Sequence, residues 1–105
     1  MNGHSMTLVT VVCEALARTP LLELLRQLGI HGYTLFPVEG AGSKGDRPAD
    51  IEEYGNIQVE IIVPEETARL LTERLAAEFL TRFAAIVYST EVRVIRPEKF
   101  RPHQS

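Results

Sequence analysis

The chain has 105 residues, which fits one compact domain and leaves no room for two that fold independently. Hydrophobic residues make up 45% of it and charged residues 24%, the balance of a soluble globular protein and not of a disordered or fibrous one. Eleven Lys and Arg against fourteen Asp and Glu leave a formal charge of -3, which excludes a global attraction for nucleic acid or an anionic membrane, so any anion must be held locally.

Met1 to Ser5 lacks the basic-then-apolar pattern of a secretory signal, so residues 1–6 are set aside as a tail and the domain is expected over 7–100, with 101–105 as a second tail. Thr7 to Cys13 is apolar and β-branched on both alternating sets, which predicts a first strand covered on both faces. Cys13 falls inside that strand, where a buried, inert thiol is the ordinary case. Thr19 as a cap, Pro20 in the first turn and Leu21, Leu22, Leu25 and Leu28 at helical spacing predict a helix that Gly29 ends; Glu14 to Arg18 could extend it backwards. Gly32 to Phe36 predicts a second strand ending near Val38, and Ile57, Val59, Ile61 and Val63 alternate with Gln58 and Glu60 as a third that Pro64 ends.

A second helix begins at Glu65 and Glu66 and buries the stripe Ala68, Leu71, Leu75 and Phe79. Glu65/Arg69, Arg69/Glu73, Arg74/Glu78 and Glu78/Arg82 at i,i+4 describe a solvated helix face. Ala85 to Arg96 predicts the fourth strand. The order βαββαβ implies an α+β, ferredoxin-like sandwich with both helices on one sheet face. Strands one and four are apolar on both faces, so the other face is expected to meet another subunit.

Strands two and three would form a hairpin, yet Glu39 to Asn56 supplies eighteen residues between them with no strand or helix pattern. Its charges, Lys44 and Arg47 against Glu39, Asp46, Asp50, Glu52 and Glu53, sum to -3, so the rest of the chain is neutral. In its first half, Gly40-Ala41-Gly42-Ser43-Lys44-Gly45, convergent N–H groups with the Ser43 hydroxyl and the Lys44 ammonium could hold a phosphate. A mobile hairpin tip is the other reading. The glycines match G-x-G-x-x-G by letter, but Asp46-Arg47-Pro48 opens no helix, and Gly45 is not followed by Lys and then Ser or Thr. Dinucleotide-fold and P-loop assignments therefore fail. One cysteine with scattered His4, His31 and His103 makes no zinc set, and no apolar run reaches the ~20 residues of a membrane helix. A cytoplasmic, metal-free chain is expected.

Gly29-Ile30-His31-Gly32-Tyr33-Thr34, the Gly40 to Gly45 loop, Val59-Glu60-Ile61-Ile62-Val63-Pro64 and Ala85-Ile86-Val87-Tyr88 through Arg93-Val94-Ile95-Arg96 occur in an order that resembles the PII signal-transduction superfamily. Within it, the chain is most similar to the PII-like branch associated with bicarbonate uptake and carboxysomes. The resemblance spans about Thr7 to Phe100. It implies a homotrimer with adenine nucleotide in clefts between subunits and the long hairpin as a T-loop that engages a partner.

Carried over, Thr34 and Ile62 would face adenine and ribose, and Gly40, Ala41, Gly42, Ser43 and Lys44 would approach the phosphates. Phe83, Ala84 and Ala85 would stand as the neighbour's B-loop, and Arg96 as a phosphate-binding arginine. The B-loop lacks the Gly-Asp-Gly-Lys run of nitrogen-regulatory relatives, and Glu98 stands where a second arginine would lie. Fewer cations disfavour a triphosphate, so ADP or AMP is expected to bind at least as well as ATP.

Bicarbonate is implied as a second ligand, with Lys44 or Arg47 as donors, and a bicarbonate transporter or carboxysome-related protein as partner. The surroundings of Tyr54 do not match the motif that is uridylylated in nitrogen-regulatory relatives. Glu60, Glu91 and Arg93 are expected to line a subunit interface. No catalytic cofactor is expected, and a signalling protein is favoured over the two alternatives: a small acylphosphatase-like enzyme, or a trimeric interaction module without a ligand.

Overall fold

The computed structural model describes residues 3–40 and 55–96. Its elements run β1 (His4–Glu14), α1 (Arg18–Gln27), β2 (Thr34–Val38), β3 (Asn56–Val63), α2 (Glu65–Arg74) and β4 (Ala85–Val94). The strands form one antiparallel sheet in the order β2-β3-β1-β4, the expected ferredoxin-like arrangement, with β2 and β4 at its edges.

The apolar patterns account for the elements. Val9 and Val11 of β1 and Val59 and Ile61 of β3, all at odd positions, are fully buried under the helices. Leu21 and Leu25 of α1, Leu71 of α2 and Leu75 just past its end close the same core. Each such side chain contributes about 1.5–3 kcal/mol relative to exposure. Gly29, at φ 76°, ends α1: its N–H donates to Arg26 O at 3.0 Å, while the Ile30 N–H reaches back to Leu25 O at 2.9 Å. That pair of bonds needs a left-handed residue, which glycine adopts without a Cβ clash.

Several boundaries differ from expectation. β1 starts at His4, before the predicted Thr7, because His4 and Ser5 pair with Val94 and Arg93 of β4. Backbone pairing outweighs their polar side chains. Thr19 does not cap α1: a 3₁₀ turn, Ala15–Ala17, leads straight into a helix that begins at Arg18, so Pro20 lies in the first turn, where a missing N–H costs no internal bond. Gly32 and Tyr33 stand outside β2, and Ile95 and Arg96 outside β4. α2 continues as a π-helical turn, Leu75–Phe79, in which the Leu80 N–H donates to Leu75 O at 2.8 Å and Phe79 is kept in the core.

The charged face of α2 is solvated, as its spacing predicts. Arg69 pairs with Glu73 at 2.8 Å and with Glu66, in place of the expected Glu65. Arg74 pairs with Glu78 and also donates to Gln27 Oε1 at 2.7 Å, tying α2 to α1.

Candidate functional site

Position in the sheet decides which candidate residues can act together. β2 and β3 part at the Val38–Asn56 pair, and Asn56 is also the partner of Glu14 at the end of β1. The Ala15 N–H donates to Gly55 O at 2.8 Å, which fastens the chain leaving β1 to the chain entering β3. Glu39, Gly40 and Gly55 therefore leave the sheet together at one end.

Among the described residues, no atom beyond its chain neighbours lies within 4 Å of where a Cβ at Gly40 would stand, and its φ is not positive. No described residue crowds that position, so none of them requires glycine there. Ala41, Gly42, Ser43, Lys44, Arg47 and Tyr54 lie outside the described residues.

Thr34 and Ile62 share the sheet face that bears no helices. Thr34 pairs with Glu60, and Ile62 stands one same-face step further along β3. Thr34 is exposed and Ile62 half-buried. Glu60, half-buried between them, accepts a hydrogen bond from Gln58 Nε2 at 3.1 Å. The pairings align Thr34, Glu60, Thr10 and Tyr88 as one row across all four strands. The next row runs Phe36, Gln58, Val12 and Ile86. Ile86 is 62% exposed and Tyr88 52%, so the β4 side of this face is left open by the described residues.

Phe83, Ala84 and Ala85 lead into β4 at the sheet end that also bears Gly40. Ala85 pairs with Cys13, next to the Glu14–Asn56 pair. Phe83 is half-buried, its ring centroid 4.9 Å from that of Phe79, and Ala84 is exposed. Gly40 and this stretch nevertheless belong to opposite edges, with β3 and β1 between them, a span of about 14 Å at ~4.8 Å per strand. One protomer does not bring them together.

Arg96 lies past Val94, the partner of His4, at the other end of β4. The ten residues of β4 at ~3.3 Å each put about 30 Å between Ala85 and the strand's far end. Glu91 and Arg93 sit near that far end and bind the amino-terminal strand: Ser5 Oγ donates to Glu91 Oε2 at 3.1 Å and Arg93 Nη1 to Gly3 O at 3.3 Å.

Titration offers little for chemistry here. Burial, reinforced by the Glu14 charge, pushes the Cys13 thiol up to about 11, so it stays protonated and unreactive near neutrality. The carboxyls of Glu23, Glu66 and Glu78 are held below their ordinary values by hydrogen bonds from Arg26, Arg69 and Arg74, all on solvated helix faces. Among the described residues no group of His, Cys, Asp and Glu could hold a metal, and no helix is long and apolar enough to cross a membrane.

Sequence reasoning paired Arg82 with Glu78 on the solvated face of α2, but Glu78 is held by Arg74. The Arg82 Cζ lies 4.9 Å from the centroid of the Phe83 ring, at the end of the sheet that bears Gly40. The adjacent Arg-Phe pair, with Phe79 four residues before Phe83, was the available signal.

The family profile described as Nitrogen regulatory protein P-II matches residues 6–99. A solved structure of a PII-like signaling protein from Thermus thermophilus is 41% identical, with 95% of this chain and 99% of that one covered and a TM-score of 0.80. CPII, a nitrogen regulatory PII-like protein from Thiomonas intermedia, bound to ADP, AMP and bicarbonate, is 26% identical over 95% of this chain and 97% of that one, at a TM-score of 0.86. The same protein bound to ADP and bicarbonate gives 26% identity, coverage of 95% and 98%, and a TM-score of 0.85. No curated protein matches the chain.

Proposed function

Since this chain belongs to the nitrogen regulatory protein P-II family, a family of signalling proteins and not enzymes, we propose that it is a regulatory sensor of adenine nucleotide. The nucleotide binds in clefts between the subunits of a trimer, the assembly typical of the family. Bicarbonate is the second ligand, and the 39–55 segment acts as a T-loop whose conformation reports inorganic-carbon or energy state to a partner protein. Such a partner would be a bicarbonate transporter or a carboxysome-related protein.

One observation carries this reading. Gly40 and the Phe83–Ala85 stretch stand at the same end of the sheet but on opposite edges, so a site using both must join two protomers. Rotation about an axis running along the strands keeps the ends together and sets the β2 edge of one protomer against the β4 edge of the next. The uncovered Ile86 and Tyr88 support such an assembly, since their burial would drive it. The nucleotides and bicarbonate held by the Thiomonas protein support the choice of ligand.

Thr34 and Ile62 would then line the adenosine side. Gly40, Ala41, Gly42, Ser43 and Lys44 would take the phosphates, and Lys44 or Arg47 the bicarbonate. In this arrangement Arg96, at the far end of β4, stands about 30 Å from those phosphates; the contact that the resemblance implies for it is tested by Arg96→Ala, and weaker ADP binding in that variant would contradict the arrangement. Glu98 stands where a second phosphate-binding arginine would lie, which supports ADP or AMP over ATP.

Calorimetric titration with AMP, ADP and ATP, each with and without bicarbonate, is the test. Binding of ADP or AMP at least as tight as ATP, and coupled to bicarbonate, is expected. Preference for ATP with Mg²⁺ contradicts the ligand assignment, and no binding of any of the three contradicts the sensor.

A further inference from the structure

A site between protomers needs positive charge where the 39–55 segment leaves the sheet, and Phe83-Ala84-Ala85 carries none of its own. The residue before it does. Glu78 lies four positions from both Arg74 and Arg82, so either could pair with it on a regular helix. The structure gives the carboxylate to Arg74, whose Nε donates to Oε2 while Nη2 donates to Oε1 at 3.0 Å. Beyond the π-helical turn the chain has left the helix, and Arg82 is out of Glu78's row.

Its guanidinium lies instead over the Phe83 ring, which packs on the buried Phe79. Among the described residues no carboxylate pairs with Arg82. Stacking holds a guanidinium through its flat face, while its N–H donors point outward in its own plane and stay available to an anion. A planar fork of donors matches phosphate oxygens in a way an ammonium does not. The ring under it is fixed by the core, so the charge is positioned before a ligand arrives.

We propose that Arg82, held in place by Phe83, contacts the phosphates of the nucleotide bound against the neighbouring protomer. This rests on the nucleotide reading above and adds a residue to it. The stretch that the resemblance assigned to the B-loop thereby gains its own fixed cation, in place of the lysine it lacks. Ala85 pairs with Cys13 beside the mouth of the 39–55 segment, so Arg82 stands at the correct end of the sheet.

ADP titrations of the full chain test it, with Arg82→Ala, Arg82→Lys and, as a control that removes the same charge from the solvated face of α2, Arg69→Ala. The ADP Kd rises more than tenfold in Arg82→Ala, rises less in Arg82→Lys, and stays within twofold in Arg69→Ala. If the unmodified protein binds ADP and Arg82→Ala binds it within twofold as well, Arg82 has no such role while the nucleotide reading stands. Equal losses in the Arg69 and Arg82 variants also overturn the contact, leaving only a long-range charge effect. An unmodified protein that binds no ADP overturns both. Should Arg82→Ala not fold, Arg82→Gln takes its place under the same tenfold and twofold limits.

Discussion

The two faces of the sheet are built from the same four strands and end in different states. Under the helices, Val9, Val11, Val59, Ile61, Leu21, Leu71 and Leu75 are all fully buried, and that face is finished within one protomer. On the other face, rows of polar and apolar side chains cross the sheet, and Ile86 and Tyr88 on its β4 side remain more than half exposed. The first face holds the fold together; in the proposed assembly the second is completed by other copies of the chain, which would also complete the nucleotide site. Stability and function should therefore respond to different substitutions.

The largest stability effect belongs to the helix face. Leu71→Ala should cost about 2–5 kcal/mol in denaturant unfolding, through lost burial and the cavity left behind. Ile86→Arg on the open face should leave an isolated protomer's fold intact, yet give a monomer by light scattering and abolish ADP binding with it. A trimeric Ile86→Arg protein, or a monomer that still binds ADP, breaks the comparison.

A smaller effect comes from Cys13. Its thiol is raised in the folded state to about 11, against roughly 8.5 for an unperturbed cysteine, so the native state holds the proton longer than the unfolded one. Its contribution is fully present below about pH 8.5 and is lost as pH climbs towards 11. Unfolding followed between pH 8 and 11 should show a decline that Cys13→Val lessens. The smallest effect is expected from Arg69→Ala: its pairs with Glu66 and Glu73 are exposed, and thermal unfolding should not change measurably.

The elements were legible wherever periodicity was strong. The Ile57–Val63 alternation and the leucine spacing of α1 produced the strand and helix they announce, and Gly29 stops α1 in a left-handed conformation. The extension of β1 to His4 was not legible, because it depends on the length of β4, a strand distant in sequence. The π-helical turn at Leu75–Phe79 arises from docking Phe79 into the core, which local propensity does not encode. Glu78 had two arginines in range, and only the folded chain shows Arg74 taking it and Arg82 resting on Phe83. The glycines around position 40 pointed to an anion, but that the B-loop stretch stands on the opposite edge follows from strand order, not from spacing.

A crystal structure of the protein with ADP tests the central claim most directly. The account predicts a nucleotide between protomers, bordered by Gly40 of one and by Arg82 and the Phe83–Ala85 stretch of the next. An ADP molecule held wholly within a single protomer, or a saturating soak that leaves the cleft between subunits vacant, would contradict it.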